Sequence, residues 1–345
     1  MTEWRYIESF AAHFVRCDLR AGEVVVILSE TQSRSVLVDT ARLAAQSLGA
    51  AVFDVVVPTP PSSAPVPIRS TGASQAIAGN RSVIAALASA GLVIDCTVEG
   101  LLHSPELGEI LAGGARVLMV SNEHPDTFDR LVWDPDLPRR VELGHSWLRA
   151  ADTMTVTSAA GTDLTVRLAG AVTAGSTGLT SGPGSIAHWP GGLVLAFPAA
   201  GTVSGTIVLA PGDINLTFNR YLESPVMLML EDDHIVEIAG DGLDAALFSS
   251  YLGAFDDRAS YATSHVGWGM NPAARWDYLE LYDRRETWGT EARAFAGNFL
   301  YSTGANENAG RFTAGHFDLP MRGCTVRLDD RVVVDGGELV AELRS

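Results

Sequence analysis

Inside the apolar run "RFTAGHFDLPMRGCTV", residues 311–326, two side chains able to hold a metal, His316 and Asp318, stand one residue apart. On a strand, the period of two points both to one face and Phe317 to the other, so an imidazole and a carboxylate converge on one point. The stretch "SHVGWGMNP", residues 264–272, offers a third ligand in His265, ahead of small residues that let an ion or substrate approach the backbone closely. Two histidines and a carboxylate make up the facial triad of non-haem Fe(II) oxygenases, which leaves coordination positions open for substrate and O₂. The same set holds catalytic zinc. An H-x-D pair is equally satisfied by an ordinary His–Asp hydrogen bond within a sheet.

Of the eight histidines, four have plain explanations: His13 on a first amphipathic helix, His124 and His145 in polar surroundings, and His234 after "EDD" at a hairpin turn. For these a solvated or capping role is expected. His103 in "EGLLHSPE" and His188 in "AHWPGG" stand in other contexts. Cys17, Cys96 and Cys324 are widely spaced and odd in number, which argues against a disulfide framework or a Cys-rich zinc site and for reduced, inert thiols.

These residues need elements to carry them, and the chain is long enough at 345 residues for two domains. Runs at 23–28, 51–57, 91–96 and 115–121 are continuously apolar and alternate with helical patterns, which indicates a parallel sheet covered on both faces. Residues 1–150 therefore read as an α/β domain. The proline- and serine-rich segment 58–74 follows a predicted strand end, where open α/β sheets bind ligands. No GxGxxG or Walker A sequence is present, so nucleotide binding has no support.

From about residue 151 to 345 the pattern changes to short alternating strands with Gly turns, as at 153–170 and 234–242, with one helix at 242–255. This half reads as an α+β, mainly antiparallel domain that carries the metal-binding residues. The 24 basic against 41 acidic residues, a net charge of −17, would repel both a nucleic-acid backbone and an anionic lipid surface. Neither nucleic acid nor membrane is an expected partner. The N-terminus breaks its apolar pattern with charges, with Trp4, Ile7, Phe10 and Phe14 on one helix face, and reads as a helix and not a signal peptide. A cytoplasmic protein is expected.

The segment "RRETWGTEARAFAGNFLYSTGANENAGRFTAGHFDLPMRGCTVRLDDRVVVDGGEL" (284–339), with "HVGWGMNP" and "HWPGG", resembles the 2,5-dihydroxypyridine 5,6-dioxygenases of bacterial nicotinate and nicotine breakdown. The resemblance is dense over roughly the last 160 residues and thinner before them, where "EGLLHSPE" is the main matching patch. It implies one Fe(II) per chain held by His265, His316 and Asp318, with His103 as active-site base beside Leu102. It also implies a small aromatic substrate and O₂ bound between the two domains, conversion of 2,5-dihydroxypyridine to N-formylmaleamate, and a homo-oligomer. His188 either donates a hydrogen bond to the ring or closes a turn above Trp189. Ser302 and Thr303 either bind substrate or satisfy the backbone near Gly304. Glu291 either orients a ligand histidine or pairs with Arg293 or Arg311.

The family is related in fold to two-metal aminopeptidases, which makes a metallohydrolase the alternative reading and an inactive small-molecule-binding homologue a third. The second metal of such peptidases needs additional Glu and His ligands and bridging carboxylates. Here Ala292 stands where that histidine would align, and "FPAAGTVSG" lacks the glutamate. One departure concerns the dioxygenase reading itself: the acidic pocket residue expected ahead of "HWPGG" is missing, since residues 171–187 contain no carboxylate. The ring substrate is therefore less constrained than the chemistry.

Overall fold

The computed structural model describes residues 2–61, 74–120 and 122–344. Most of the proline-rich segment 58–74 thus lies outside the described residues. The first half runs α1 (Trp4–Arg16), β1 (Val24–Glu30), α2 (Ser35–Ser47), β2 (Ala51–Val57), α3 (Arg81–Ala88), β3 (Leu92–Cys96), α4 (Leu107–Ala112), β4 (Arg116–Met119), α5 (Pro125–Arg130) and α6 (Leu137–Ala150).

All four predicted strands form, and they pair in parallel in the order β2-β1-β3-β4. Successive residues of a strand point to opposite faces. Val25, Ile27, Leu92 and Ile94 accordingly pack under α1 and α2, while Val26, Leu28, Val93 and Val117 pack under α3 and α4. Burial on both faces is why β1, β3 and β4 read as unbroken apolar runs, whereas β2, at the edge of the sheet, leaves Phe53 and Val56 exposed. On α1, Ile7, Phe10 and Phe14 are buried as the period requires, but Trp4 is 66% exposed and Tyr6 is buried instead.

The second half begins β5 (Thr153–Ser158), β6 (Asp163–Arg167), β7 (Val172–Ser176), β8 (Ile186–His188), β9 (Leu193–Phe197) and β10 (Val203–Leu209). It continues β11 (Ile214–Asn215), β12 (Arg220–Tyr221), β13 (Val226–Glu231), β14 (His234–Ala239), α7 (Leu243–Ala254), β15 (Thr263–Gly269) and α8 (Thr290–Ala294). It ends β16 (Phe299–Asn306), β17 (Arg311–Met321), β18 (Cys324–Leu328), β19 (Arg331–Asp335), β20 (Glu338–Leu339) and α9 (Ala341–Arg344).

Two antiparallel sheets dominate this half, one ordered β14-β13-β10-β6-β5-β18-β19-β20 and the other β17-β16-β15-β9-β7. They share one core, to which the first sheet contributes Val156, Leu164 and Val166 and the second Val194, Val266, Trp268, Tyr301 and Phe317. Strand β8 departs from this arrangement by pairing in parallel with β4, so it becomes the fifth strand of the N-terminal sheet. No helix among the described residues is long and apolar enough to cross a membrane.

Candidate metal centre and substrate cavity

The alternation of the second antiparallel sheet sorts its side chains into two populations. Val194, Ala196, Val266, Trp268, Phe299, Tyr301, Phe317 and Leu319 enter the shared core. Their neighbours Leu193, Leu195, Phe197, His265, Leu300, His316 and Asp318 face a cavity of about 560 Å³ on the other side. Phe317 is stacked on Phe248 with ring centroids 4.4 Å apart, and this anchors the strand face opposite His316 and Asp318.

Cross-strand register brings the polar residues into a row. His265 on β15 lies opposite Ser302 on β16, which lies opposite Asp318 on β17. His316 is paired with Gly304, where a Cβ would stand 1.9 Å from the Gly315 carbonyl oxygen at a φ of +106°. Only glycine allows the two strands so close. The Tyr251 hydroxyl donates to the His316 carbonyl at 2.8 Å and so ties this part of β17 to α7.

Asp318 Oδ1 lies 3.2 Å from His316 Nε2 and 3.7 Å from His265 Nε2. Its Oδ2 accepts from Arg293 Nε at 2.6 Å. Burial alone would raise the Asp318 carboxyl, but Arg293 and the two imidazoles outweigh it and hold the group well below the usual carboxylate range. Burial pushes His265 down to about 3 and lowers His316 as well, so both rings are neutral near pH 7.

The tautomer of His265 follows from its neighbours. Ser264 Oγ donates to the Ala305 carbonyl, so it accepts from His265 Nδ1, 3.1 Å away, and leaves a lone pair on Nε2. Ser302 Oγ has one proton for two acceptors, Asp318 Oδ1 and His265 Nε2, the latter at 3.0 Å. Two neutral imidazoles and a carboxylate thus converge with fewer donors than lone pairs. That donor set fits a divalent cation of intermediate softness.

His103 comes from the other half. It follows β3 on a loop held by Asp95, whose Oδ1 accepts from Thr97 N at 3.0 Å and Thr97 Oγ1 at 2.6 Å, and whose Oδ2 accepts from Leu101 N at 2.9 Å. The loop lies at the carboxyl ends of the parallel strands, the usual ligand side of such a sheet. Ring nitrogens of His103, His265 and His316 lie within 4.8 Å of one another. Asp95→Ala is expected to leave two buried amides unpaired, at about 1–3 kcal/mol each. The melting temperature should fall and kcat should fall more than KM. An unchanged melting temperature would remove Asp95 from this role.

His188 ends β8, stacked on Trp288 with centroids 5.4 Å apart. Its Nε2 is buried without a hydrogen-bond partner among the described residues, and burial pushes the ring down to about 3. Leu102, His103 and His188 line the cavity together with His265, His316 and Asp318, and residues 174–177 line it too. Ser176 Oγ is also buried without a partner there.

Some sequence expectations meet different partners. Ser302 lies in the ligand row, between His265 and Asp318, and is not on the cavity wall. Thr303 Oγ1 has no hydrogen-bond partner among the described residues. Glu291 pairs with Arg130 and accepts from Arg275 N at 2.8 Å, so its carboxylate is turned to the other half of the chain. His13 is buried, with its ring stacked 4.1 Å from Trp189, and is not solvated. His124 caps α5 by accepting from Asp126 N at 3.2 Å. All three cysteines are free and buried. Sequence reading missed Arg293 as the partner of Asp318, Trp288 under His188, and Asp95 behind His103, because each contact joins elements that no short-range pattern connects.

Comparison with known proteins agrees with this architecture. The sequence profile of the family described as NicX, 2,5-dihydroxypyridine 5,6-dioxygenase, matches residues 5–341. The 2,5-dihydroxypyridine 5,6-dioxygenase of Pseudomonas putida (strain KT2440) is 37% identical over 327 residues, 91% of this chain and 92% of that protein. A solved structure of 2,5-dihydroxypyridine dioxygenase from P. putida KT2440 superposes with a TM-score of 0.91 at 34% identity, covering 99% of this chain and 98% of that one. Wild-type AmpT from Thermus thermophilus shares the fold alone, with a TM-score of 0.62 at 14% identity over 98% of this chain and 99% of its own. The chain belongs to the 2,5-dihydroxypyridine 5,6-dioxygenase family.

Proposed function

We propose that this protein is an Fe(II)-dependent ring-opening dioxygenase that converts 2,5-dihydroxypyridine and O₂ to N-formylmaleamate. His265, His316 and Asp318 would hold one ferrous ion per chain, on the donor set described above. A ferrous ion in that site supplies the electron exchange without which ground-state O₂ does not react with a closed-shell ring. The observation that carries the reading is the meeting, across one cavity, of that triad with His103 in a chain of this family.

The protein's own residues do the rest. His103 Nε2 takes the proton of the ring 5-hydroxyl, and His188 Nε2 is the polar group beside the ring. Leu102, Leu193, Leu195 and Leu300 press on its faces and exclude water. Arg293 keeps Asp318 ionised and oriented through Oδ2 and leaves Oδ1 toward the site. We further propose that residues 1–150, joined by the single strand β8, form the domain carrying the base and residues 151–345 otherwise form the domain carrying the ligands, and that the protein works in the cytoplasm as a homo-oligomer. Its three buried free thiols suit a reducing compartment.

Anaerobic loading with Fe(II), followed by O₂ uptake with 2,5-dihydroxypyridine, tests the reading. Ring opening with about one iron per chain is expected. Activity that needs two zinc or cobalt ions and cleaves peptides would overturn it.

Ring selectivity is expected to be loose. The cavity offers about 560 Å³. Its wall at 174–177 is "AGST", with no carboxylate to grip a ring N–H, and Glu142 of α6, which also lines the cavity, is solvent-exposed. A ring read by one neutral imidazole, without a carboxylate at its N–H, is discriminated only weakly from isosteres. Comparing kcat/KM for 2,5-dihydroxypyridine, a ring-substituted analogue and a hydroquinone should give ratios well below about a thousandfold, and Ser176→Glu should raise the preference for the pyridine. A native preference above about a thousandfold, with no gain from the glutamate, would show that other groups read the ring.

A further inference from the structure

We infer that Glu307 is the positioning residue of the base: its carboxylate accepts the Nδ1 proton of His103 and holds the Nε2 lone pair toward the cavity. The inference rests on the reading of His103 as base given above.

The geometry leaves little choice of tautomer. His103 Nδ1 lies 3.1 Å and 3.3 Å from the two Glu307 oxygens. The ring is buried and its Nε2 has no hydrogen-bond partner among the described residues. With the proton on Nε2, a buried N–H would go unpaired while the Nδ1 lone pair faced a carboxylate. With the proton on Nδ1, the carboxylate has a donor and the free lone pair is the one on the cavity side. An unpaired buried donor costs more than an unpaired lone pair, so the second arrangement prevails.

The carboxylate is itself held in place. Glu307 opens a single 3₁₀ turn, Glu307–Ala309, directly after β16. Asn306 Oδ1 accepts from Ala309 N at 3.2 Å, and Asn306 Nδ2 donates to the Pro198 carbonyl at 2.9 Å. A residue of the ligand-bearing half thus reaches 204 positions back along the chain to the base. When His103 takes a proton from substrate, the same carboxylate faces the resulting imidazolium and stabilises it. Burial raises the Glu307 carboxyl, but its contact with His103 outweighs this and keeps it ionised.

A carboxylate behind an imidazole also supports metal ligands, so the test must separate a base from a ligand. Native protein, Glu307→Gln, His103→Ala and the double variant are to be loaded anaerobically with Fe(II) and assayed for iron content, kcat and KM with 2,5-dihydroxypyridine. Glu307→Gln should keep its iron, lose about 10- to 100-fold in kcat and hold its KM. In the His103→Ala background the same change should cost nothing further, because the two residues act as one unit. Loss of iron in Glu307→Gln, a native kcat, or multiplicative losses in the double variant would each overturn the inference. Nitrogen NMR of the His103 ring provides a readout independent of turnover: the proton should be on Nδ1 in the native protein, with that preference lost in Glu307→Gln. A native ring protonated on Nε2 would refute the positioning role even if ring opening occurs. Native protein that holds iron and the Nδ1 tautomer but does not open the ring would refute the proposed function and leave the pairing standing.

Discussion

Replacing His316 by alanine is expected to remove bound iron and ring opening together while the protein keeps its fold. The expectation follows from which face of β17 the residue occupies. His316 projects into the cavity, so truncation enlarges a space that already exists and opens no hole in the shared core. Phe317, one residue on, faces the core against Phe248 and Tyr251. The backbone anchor of β17 at Tyr251 goes to the His316 carbonyl and survives the substitution. Asp318 keeps Arg293 and Ser302 as partners. What is lost is one of the three lone pairs proposed to hold the ion. The measurements are iron per chain after anaerobic loading, O₂ uptake, and the melting temperature beside that of the native protein. Full iron occupancy in the variant would show that the metal sits elsewhere.

Much of this site was legible before the fold was known, and the reason is periodicity. Two candidate ligands one residue apart on a strand share a face by geometry alone, and His316 and Asp318 do so. Three of the four apolar runs of the first half, β1, β3 and β4, announce a parallel sheet because both of its faces are buried there, whereas the edge strand β2 is apolar yet largely exposed. What the sequence concealed depends on contacts between distant segments. Strand β8 is three residues long and joins a sheet whose other strands all precede residue 120. No local pattern foretells that pairing, though it is what carries His188 to the cavity. Glu291 pairs with Arg130 of the other half, a partner that its neighbours in the sequence do not suggest. Arg293, two residues along, reaches Asp318. Both are charged residues on the five-residue helix α8, where adjacent positions face different elements, so spacing could not assign their partners.

His103→Ala is expected to keep the iron and lower turnover by about 10²- to 10⁴-fold, the range typical of a positioned general base. The residue stands apart from the ligand sheet: it belongs to the loop after β3, braced by Asp95 from behind and Glu307 from the side. Its Nε2 has no hydrogen-bond partner among the described residues, so truncation breaks no hydrogen bond among them on the cavity side. One feature of the geometry argues the other way. The three imidazoles of His103, His265 and His316 lie close enough together to form a nitrogen-only metal site. A three-histidine site and a two-histidine, one-carboxylate site give opposite results in paired variants. If Asp318 is the third ligand, Asp318→Ala loses iron and His103→Ala does not. If His103 is the third ligand, the outcomes exchange. The carboxylate is favoured because Arg293 holds it ionised and because its Oδ1 already stands 3.2 Å and 3.7 Å from the two imidazoles it would join. Turnover should therefore fall in His103→Ala at full iron occupancy, with a residual rate above that of His316→Ala. Iron lost with His103 would make it a ligand, and turnover unchanged at pH 7 would leave it a structural residue.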